Sequence, residues 1–445
     1  MFSLTRWTLL AITTAFLSAV TAVDVIIPLN TPANAPLLSK SLVSISIEQD
    51  RWTDWAGIKS RNQFFYNTFD NLRALAGSPP HVRVGANSED RTNFDPAIKN
   101  FTAAYLMTQS IAKAFRSPAV KNKGIVLDFV EIGNEPNLYA LNGLRGLKHN
   151  VSDYVPDWTA FASNISGVAG ITLTSHTKFL GGSLGGGRHG WNPRSLADKG
   201  LFDTSEGKPI STISQHRYSG SFCSGDGALL QSLMTKAHIR GNTTIFAPDA
   251  ADAKAMGFRY VLGETNSLSC HGAPGGSSRA GAALRAIDYV LSAVKIGVQQ
   301  VFFHDGIGYK YNLLLKVSED AALQEDATPF PSPQPAHVHP QSNRKRPTSV
   351  SEITVSHPKI SGWGSYENGK LKRAVYAHLR AYLPGSESTA RPVEHVGLGF
   401  DEGGPKEMIV KRLAIGSNAN GYADDKSGVT WGGQTYETPD GRVAG

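Results

Sequence analysis

Short apolar runs alternate with segments of helical periodicity along most of the chain. Residues 64–75, 103–115 and 280–297 space apolar side chains three and four positions apart, as helices packed by one face do. Strand-like apolar runs are predicted at 42–47, 81–85, 124–132, 179–182, 213–216, 260–263 and 300–304. We count about eight such strands between residues 42 and 304. This alternation predicts an α/β fold with a parallel sheet, and a (β/α)8 TIM barrel rather than an open sheet.

The pattern changes after residue 317. Residues 318–350 are rich in proline, which is typical of a linker or of an aberrant segment. Further on, runs at 360–366 and 374–379 flank an Asn-Gly pair, a strong β-hairpin signal. Two more strands are predicted at 408–415 and 429–436.

Four segments follow from these changes. We predict a signal peptide at 1–22, a catalytic barrel at 23–317, the proline-rich segment at 318–350, and a truncated C-terminal β-sandwich at 351–445. An alternative places residues 23–30, a further strand candidate, in the β domain.

The N-terminus has the pattern of a secretory signal. Arg6 precedes an apolar run at 7–20, and small residues follow near Ala22. The run is too short for a membrane anchor, since a span takes roughly 20 apolar residues. We therefore expect a secreted, extracellular protein without a membrane partner. Four Asn-x-Ser/Thr triplets are expected to carry glycans, at Asn100, Asn150, Asn164 and Asn242.

Composition narrows the classes of partner. The chain has 445 residues with ordinary globular hydrophobicity, and its net charge is +7. An excess of basic residues favours an acidic substrate, but it is equally typical of a solvated surface that has no specific partner. No basic run has the length of a nucleic-acid footprint, and no residues have zinc-ligand spacing. Neither a metal, a cofactor nor a nucleic-acid partner is expected, and the sequence does not indicate an oligomeric state.

Glu135 lies where catalytic acids of barrel enzymes are found. It follows an apolar strand and a glycine within the sequence DFVEIGNEP at 128–136. A carboxylate at the carboxyl end of a barrel strand faces the rim where barrel active sites form. A strand that simply ends in Asn-Glu-Pro is the alternative. Asn134 is suited to hydrogen-bond both a sugar hydroxyl and the local backbone.

Glu264 has the same setting in the sequence YVLGETN at 260–266. A helix-capping acid is the alternative for this glutamate by itself. It lies about three strand–helix repeats after Glu135, which predicts two carboxylates facing each other across the barrel mouth. Glycoside cleavage uses such a pair, one protonated and one ionised, roughly 5–5.5 Å apart when configuration is retained.

These motifs, taken together, resemble a known family. The sequences EIGNEPN (131–137), LGETNS (262–267), CHGAPG (270–275), VFFHDGIGYKYN (301–312), WGGQTYE (431–437) and DGR (440–442) are similar to those of fungal β-glucuronidases of glycoside hydrolase family 79. The resemblance covers nearly the whole chain after residue 22 except the proline-rich segment. It implies a retaining barrel hydrolase of clan A that releases glucuronic or 4-O-methylglucuronic acid from a glycan.

The resemblance also implies roles for single residues. Glu135 would be the acid/base and Glu264 the nucleophile. Asn134, His216, Tyr218, Arg83, Asn87, Glu48, Tyr309 and Tyr311 would contact substrate, with Tyr218 also holding the nucleophile. Ordinary packing at the barrel rim is the alternative for each of these supporting residues.

The two cysteines, Cys223 and Cys270, lie in loops that the resemblance brings to the same rim. An even cysteine count in an exported protein suggests a disulfide between them, with free buried thiols as the alternative. Two other functions stay open: an endo-acting, heparanase-like hydrolase and an inactive glycan-binding homologue. The proline-rich segment and the early C-terminus depart from the family pattern. These departures bear on the stability of the fold and not on the chemistry of the two glutamates.

Overall fold

The computed structural model describes residues 22–49, 52–57, 60–90, 117–187, 190–225, 229–313, 347–383, 393–415 and 428–445. Its main feature is a sheet of seven parallel strands. In chain order these are β2 (Val43–Glu48), β3 (Val82–Gly85), β4 (Phe129–Glu131), β5 (Lys178–Gly185), β6 (Ile210–Ser221), β7 (Arg259–Ser269) and β8 (Gln300–Asp305).

The sheet is a nearly closed barrel. Its strand order is β3-β2-β8-β7-β6-β5-β4, so the last barrel strand pairs with the first. The seam lies between β3 and β4, and the chain that joins them includes residues 91–116, outside the described part. The predicted TIM barrel is confirmed, although the described residues contribute seven strands rather than about eight.

Helices follow most of these strands and cover the barrel. The apolar faces of the two longest helices pack onto it, burying Trp158 on one and Tyr289 on the other. The described helices are α1 (Trp52–Ala56), α2 (Gln63–Ala76), α3 (Asn87–Asp90), α4 (Pro118–Lys121), α5 (Val151–Ala169), α6 (Pro193–Asp198), α7 (Leu230–Met234), α8 (Lys236–Thr244), α9 (Ala247–Ala255) and α10 (Ala280–Lys295). None of them is long and apolar enough to cross a membrane.

The C-terminal region forms small sheets. Strands β9 (Thr348–Ile353), β10 (Ile360–Glu367) and β11 (Lys370–His378) make a three-stranded antiparallel sheet. The predicted hairpin joins β10 and β11, and Asn368 and Gly369 have the positive φ angles, 51° and 78°, that its tight turn requires. The pair β13 (Leu413–Ala414) and β14 (Thr430–Trp431) is antiparallel.

The N-terminal strand belongs to this C-terminal region. Strand β1 (Val23–Ile27) pairs in parallel with β12 (Val396–Phe400). Its inward side chains Val25 and Ile27 join a separate apolar cluster with Ile353 and Ile360. The structure therefore follows the alternative that assigned residues 23–30 to the β domain.

A buried ion pair holds the two regions together. Asp288 of α10 has no exposed side-chain surface and accepts both terminal nitrogens of Arg240, at 2.8 and 3.0 Å. Arg240 also reaches Glu352 of β9, and the indole of Trp363 donates to Asp288 at 2.8 Å. A buried carboxylate is tolerated because it is paired and hydrogen-bonded, and its partners here come from both regions.

Several predicted boundaries are wrong. The strand expected at 124–132 is confined to 129–131, and Ile125 and Val126 are exposed because no neighbouring strand pairs with them in the described residues. Residues 408–410 are exposed rather than stranded, and the strand expected at 429–436 has two residues. Strand β9 starts at Thr348, so the proline-rich segment ends before 350; its residues 318–346 lie outside the described part, as do residues 103–115.

Candidate active site

The carboxyl ends of the parallel strands bring the polar side chains together. Glu48 ends β2, Arg83 lies in β3, Glu135 follows β4, and Glu264 lies in β7. The strands run in parallel, so these ends share one rim of the barrel, where barrel enzymes place their reactive groups.

Glu264 is a buried carboxylate whose two oxygens are both held. Oε2 accepts a hydrogen bond from Nη1 of Arg83 at 2.9 Å, and Oε1 accepts the hydroxyl of Tyr218 at 2.7 Å. The ring nitrogens of His216 and His304 each lie 4.0 Å from Oε2. The carboxylate is therefore fixed in orientation and surrounded by positive charge.

This environment keeps Glu264 ionised. Burial by itself would raise the pKa of this carboxyl group. The pKa is instead lowered to about 2 by four neighbouring groups, which are His304, His216, Arg83 and the Tyr218 hydroxyl. Nearby positive charge and donated hydrogen bonds favour the charged form of a carboxyl group. An ionised carboxylate of fixed orientation is what a nucleophile needs.

The backbone of β7 approaches β6 closely next to Glu264. The register between these strands shifts so that His216 lies opposite Glu264. A side chain on Gly263 would collide with the hydroxyl of Ser214. The glycine before the glutamate is thus required by packing.

Glu135 occupies a strained turn. Its φ of 50° is in the left-handed region, which non-glycine residues rarely adopt. Its N–H donates to the carbonyl of Ser183 at 2.9 Å, and a Cβ at Gly185 would lie 2.7 Å from its carboxyl carbon. The carboxyl group is partly exposed to the cleft, and Oε1 lies 3.2 Å from Nδ1 of His216.

The two carboxylates face each other at short range. Ligand-type atoms of Glu135, His216 and Glu264 all lie within 4.8 Å of one another. Such a cluster has the spacing of a metal site, but Arg83 and Tyr218 already donate to both oxygens of Glu264. That donor set favours carboxylate chemistry, and the separation suits direct attack with retention of configuration.

Arg83 organises the base of the site. Its Nε donates a hydrogen bond to Glu131 at 2.6 Å, and its Nη2 donates one to Asn134 at 2.8 Å. Its Nη1 donates to both Ser46 and Glu264. Burial would lower the pKa of Arg83, but Glu131 and Glu264 raise it, so the guanidinium stays charged. A fork of five donors on one rigid group can fix several acceptors at once.

His304 supplies a second positive group. It is buried, with Nε2 3.5 Å from Glu48 and Nδ1 3.1 Å from the Ser46 hydroxyl. Burial would lower its pKa, but Glu264 and Glu48 raise it. His304 therefore favours the ionised form of Glu264.

An aromatic wall extends outward from Glu264. We use this name for Tyr218, Tyr311, Tyr309 and His271. Ring centroids are 5.7 Å apart between Tyr218 and Tyr311, 5.6 Å between Tyr311 and Tyr309, and 4.0 Å between Tyr309 and His271. The wall runs from half-buried Tyr218 to His271, which is exposed at the rim.

Known proteins resemble this chain in sequence and in fold. Residues 362–444 match the glycosyl hydrolase family 79 C-terminal beta domain. A beta-glucuronidase of Neurospora crassa is 25% identical, over 94% of this chain and 88% of its own length. A beta-glucuronidase of Aspergillus niger is also 25% identical, over 88% of this chain and 82% of its own. The chain is therefore a glycoside hydrolase that is similar to proteins of family 79.

A solved structure agrees with the fold of this glycoside hydrolase. It is a 4-O-α-L-rhamnosyl-β-D-glucuronidase from Fusarium oxysporum in complex with Rha-GlcA. The two share a TM-score of 0.70 at 19% identity, over 95% of this chain and 94% of the other. The likeness in fold therefore extends over both the barrel and the β domain.

The structure brings most of the predicted site residues of the hydrolase together. Asn134 is buried beside Arg83, with its Nδ2 3.4 Å from Oδ1 of Asn87. The carboxylate of Glu48 accepts a hydrogen bond from the hydroxyl of Tyr309 at 3.5 Å. The ring of Tyr311 lies between those of Tyr309 and Tyr218. Their contact with substrate stays a prediction.

His216 was expected to contact substrate, and the structure does not place it there. Its side chain has no exposed surface and lies behind the two glutamates. His216 therefore acts on the carboxylates, not on the sugar.

Three residues next to the reactive pair had no predicted role. Ser46, Glu131 and His304 surround Arg83 and Glu264. Glu131 was identifiable, because an acid inside an apolar strand requires a buried partner. Nothing in the local sequence singles out Ser46, since its role depends on the neighbouring strand β3.

A disulfide joins Cys223 and Cys270, with Cα atoms 5.1 Å apart. It connects the segment after β6 to the segment after β7, beside the aromatic wall.

The four glycosylation triplets differ in their surroundings. Asn150 and Asn164 are exposed at the start and in the body of α5. Asn242 is 5% exposed. Its Oδ1 accepts hydrogen bonds from Nε and Nη2 of Arg217 at 3.0 and 2.6 Å, and its Nδ2 donates to the carbonyl of His238. The burial and hydrogen bonds of this amide argue against a glycan on Asn242, and the glycosylation of all four residues stays a prediction. Asn100 lies outside the described residues.

Proposed function

We propose that this glycoside hydrolase is an exo-acting, retaining β-glucuronidase that releases glucuronic or 4-O-methylglucuronic acid from a glycan. The observation that carries the mechanism is the pair of carboxylates within 4.8 Å, one held ionised by Arg83 and Tyr218 and the other facing the cleft. The beta-glucuronidase relatives support the choice of sugar.

In the first step, an ionised oxygen of Glu264 attacks the anomeric carbon and the bond to the leaving oxygen breaks. The proton of Glu135 passes to that oxygen, so the aglycone departs as an alcohol. The negative charge of Glu264 is consumed in the glycosyl ester, and Glu135 becomes ionised.

In the second step, Glu135 takes a proton from a water molecule, which attacks the anomeric carbon. The ester bond to Glu264 breaks, and both glutamates return to their starting ionisation. Two inversions give net retention. Arg83 and Tyr218 remain bound to Glu264 throughout, which limits reorganisation around the developing charge.

The test is hydrolysis of an aryl β-glucuronide followed by proton NMR. We expect β-glucuronic acid as the first-formed anomer and little hydrolysis of the matching β-glucoside or β-xyloside. An α-anomer would contradict the retaining mechanism. Shortened oligosaccharides instead of free glucuronic acid from an acidic polysaccharide would favour the endo-acting alternative, and no cleavage of any substrate would favour an inactive glycan-binding protein.

We also propose that the enzyme is exported and glycosylated. The disulfide between Cys223 and Cys270 and the exposed sequon residues Asn150 and Asn164 support this, since disulfides persist in oxidising compartments. Protein recovered from the medium of a eukaryotic host should lose mass on treatment with peptide N-glycosidase. Peptide mapping should place glycans on Asn150 or Asn164 and none on Asn242; an occupied Asn242 would contradict the burial argument.

A further inference from the structure

Glu131 is a largely buried acid beside the reactive pair, and neither step of the proposed reaction uses it. It ends β4, four residues before Glu135, and its side chain is 11% exposed. Burial of a carboxylate costs free energy unless donors satisfy its oxygens. The donors that satisfy Glu131 lead to Glu264 on one side and to Glu135 on the other.

The first link runs through Arg83 to Glu264. Oε2 of Glu131 accepts a hydrogen bond from Nε of Arg83 at 2.6 Å, and Nη1 of the same guanidinium donates to Oε2 of Glu264 at 2.9 Å. Strands β3 and β4 are the two edges of the described sheet, so this pair of side chains connects them across the seam. Because a guanidinium is planar and rigid, a partner that fixes Nε also fixes the direction of Nη1.

The second link runs through Ser183 to Glu135. The hydroxyl of Ser183 donates a hydrogen bond to Oε1 of Glu131, and the carbonyl of Ser183 accepts the N–H of Glu135 at 2.9 Å. Ser183 is buried, so no solvent competes for these contacts. Ser183 is therefore held by Glu131 through its side chain and holds Glu135 through its backbone.

Ser183 and Glu135 both have an unusual backbone conformation. Their φ angles are 48° and 50°, in the left-handed region, which is costly for residues other than glycine. The register between β5 and β6 shifts between Gly182 and Leu184, which leaves Ser183 outside the regular pairing. Bulges of this kind next to active sites redirect single residues. Two such residues in contact persist only where their surroundings impose the conformation, and Glu131 supplies a charged acceptor that does so.

We propose that Glu131 is a positioning residue that sets the geometry of both reactive glutamates, Glu264 through Arg83 and Glu135 through Ser183. The inference rests on the proposed function, because it presumes glycosyl transfer to Glu264 and proton transfer from Glu135. Both oxygens of Glu131 are engaged by protein donors, so its effect on the reaction passes through those two neighbours. A displacement on the order of 1 Å in such a pair is enough to cost about a hundredfold in rate.

The experiment removes the two links separately. Glu131→Gln keeps the size of the side chain but replaces one of its two acceptor oxygens with a donor, so it cannot receive both Arg83 and Ser183. Ser183→Ala removes only the hydroxyl, and with it only the second link. Values of kcat/KM, which report the first step, are measured for two glucuronides. A phenyl leaving group needs the proton of Glu135, whereas a dinitrophenyl leaving group does not.

The two variants should differ in their dependence on the leaving group. We expect Glu131→Gln to lower kcat/KM about a hundredfold for phenyl β-glucuronide and about tenfold for the dinitrophenyl compound, because Glu264 is displaced in both reactions. Ser183→Ala should lower the phenyl value about tenfold and change the dinitrophenyl value by less than about twofold. The double variant should lose no more than Glu131→Gln alone, because Ser183 acts through Glu131.

A binding measurement separates positioning from contact with the sugar. The inhibition constant of glucuronic acid should change by less than about threefold in both variants, because the loss lies in the reacting geometry and not in ground-state binding. If Glu131→Gln does not fold, the leaving-group dependence of Ser183→Ala and its unchanged inhibition constant test the second link by themselves.

The matched control is Glu352→Gln. Glu352 is a half-buried glutamate that pairs with Arg240 and Lys295, each at 2.7 Å, in strand β9 of the C-terminal region. Its replacement breaks a comparable ion pair far along the chain from the reactive glutamates. Thermal unfolding should show a lower midpoint for this variant, with both kcat/KM values within about twofold of wild type.

Three results would overturn the inference. The first is a Glu131→Gln variant with wild-type kcat/KM for both substrates. The second is a loss in Ser183→Ala that is equal for the two leaving groups. The third is a rise in the inhibition constant of glucuronic acid as large as the loss of rate, which would indicate a binding role. In each case hydrolysis of the glucuronides by the wild type would leave the proposed function standing, whereas a wild type that cleaves no β-glucuronide would reject the proposed function itself.

Discussion

Replacing Glu264 by glutamine is expected to lower kcat for an aryl β-glucuronide by a factor on the order of 10⁴ or more. The amide keeps the size of the side chain and can still accept the Tyr218 hydroxyl, which lies 2.7 Å away. It cannot form the glycosyl ester, because it has no ionised oxygen to attack the anomeric carbon. The first step is therefore lost, whatever the leaving group.

The charge-matched control is Glu206→Gln, near the amino-terminal end of β6 and hydrogen-bonded to Ser205. It should have wild-type rates, and the thermal unfolding of both variants should show that they are folded. A 2-fluoroglucuronyl fluoride should label the wild type, with the adduct on the peptide that contains Glu264. An adduct on any other residue, or a Glu264→Gln variant with wild-type kcat, would contradict the assignment of the nucleophile.

Glu135→Gln is expected to reduce kcat by about 10²- to 10⁴-fold for substrates with poor leaving groups. The reason is that an alcohol leaving group must be protonated as it departs, and glutamine has no proton of suitable acidity. A dinitrophenyl leaving group needs no such help, so its departure should be nearly as fast as in the wild type. Hydrolysis of the glycosyl-enzyme would then be slow, and a burst of dinitrophenol is expected.

Sodium azide provides the decisive measurement for Glu135. As a nucleophile that needs no general base, azide should restore turnover of the Glu135→Gln variant and yield β-glucuronyl azide. The alkaline limb of the kcat/KM profile, which reports loss of the catalytic proton, should also disappear. If azide instead restored turnover of Glu264→Gln with a β-configured azide and of Glu135→Gln with an α-configured one, the two roles would be reversed.

Much of the barrel was predictable because its strands are short apolar runs with clear ends in the sequence. Strands β2, β3, β6, β7 and β8 fall where apolar runs end in glycine or in polar residues. The run at 124–132 was overestimated, because apolar side chains were taken as evidence of pairing. Ile125 and Val126 are exposed in the structure, where the sheet reaches its edge.

The C-terminal strands were harder to predict for a related reason. Residues 408–410 are apolar but exposed, and β12 pairs with β1, almost the whole chain length away. Pairing between distant segments leaves no local signature beyond the alternation of side chains. The Asn-Gly hairpin was predictable because its turn geometry is encoded by two adjacent residues.

The sequence by itself predicted that Glu135 and Glu264 lie together at the barrel rim. Glu135 and Glu264 each follow an apolar strand and a glycine, and the parallel order of barrel strands places such residues on one rim. The cysteines were equally evident, as the two candidates for a single bridge. These are local features whose meaning depends on strand order alone.

The tertiary structure alone decided how the pair is controlled. Ser46, Arg83, Glu131 and His304 come from four different strands, and their contacts around Glu264 arise when those strands assemble into the barrel. Burial makes His216 a partner of the two glutamates, and it argues against a glycan on Asn242. Exposure and pairing are properties of the packed barrel, because a side chain's neighbours across a sheet are separated from it by many residues in sequence.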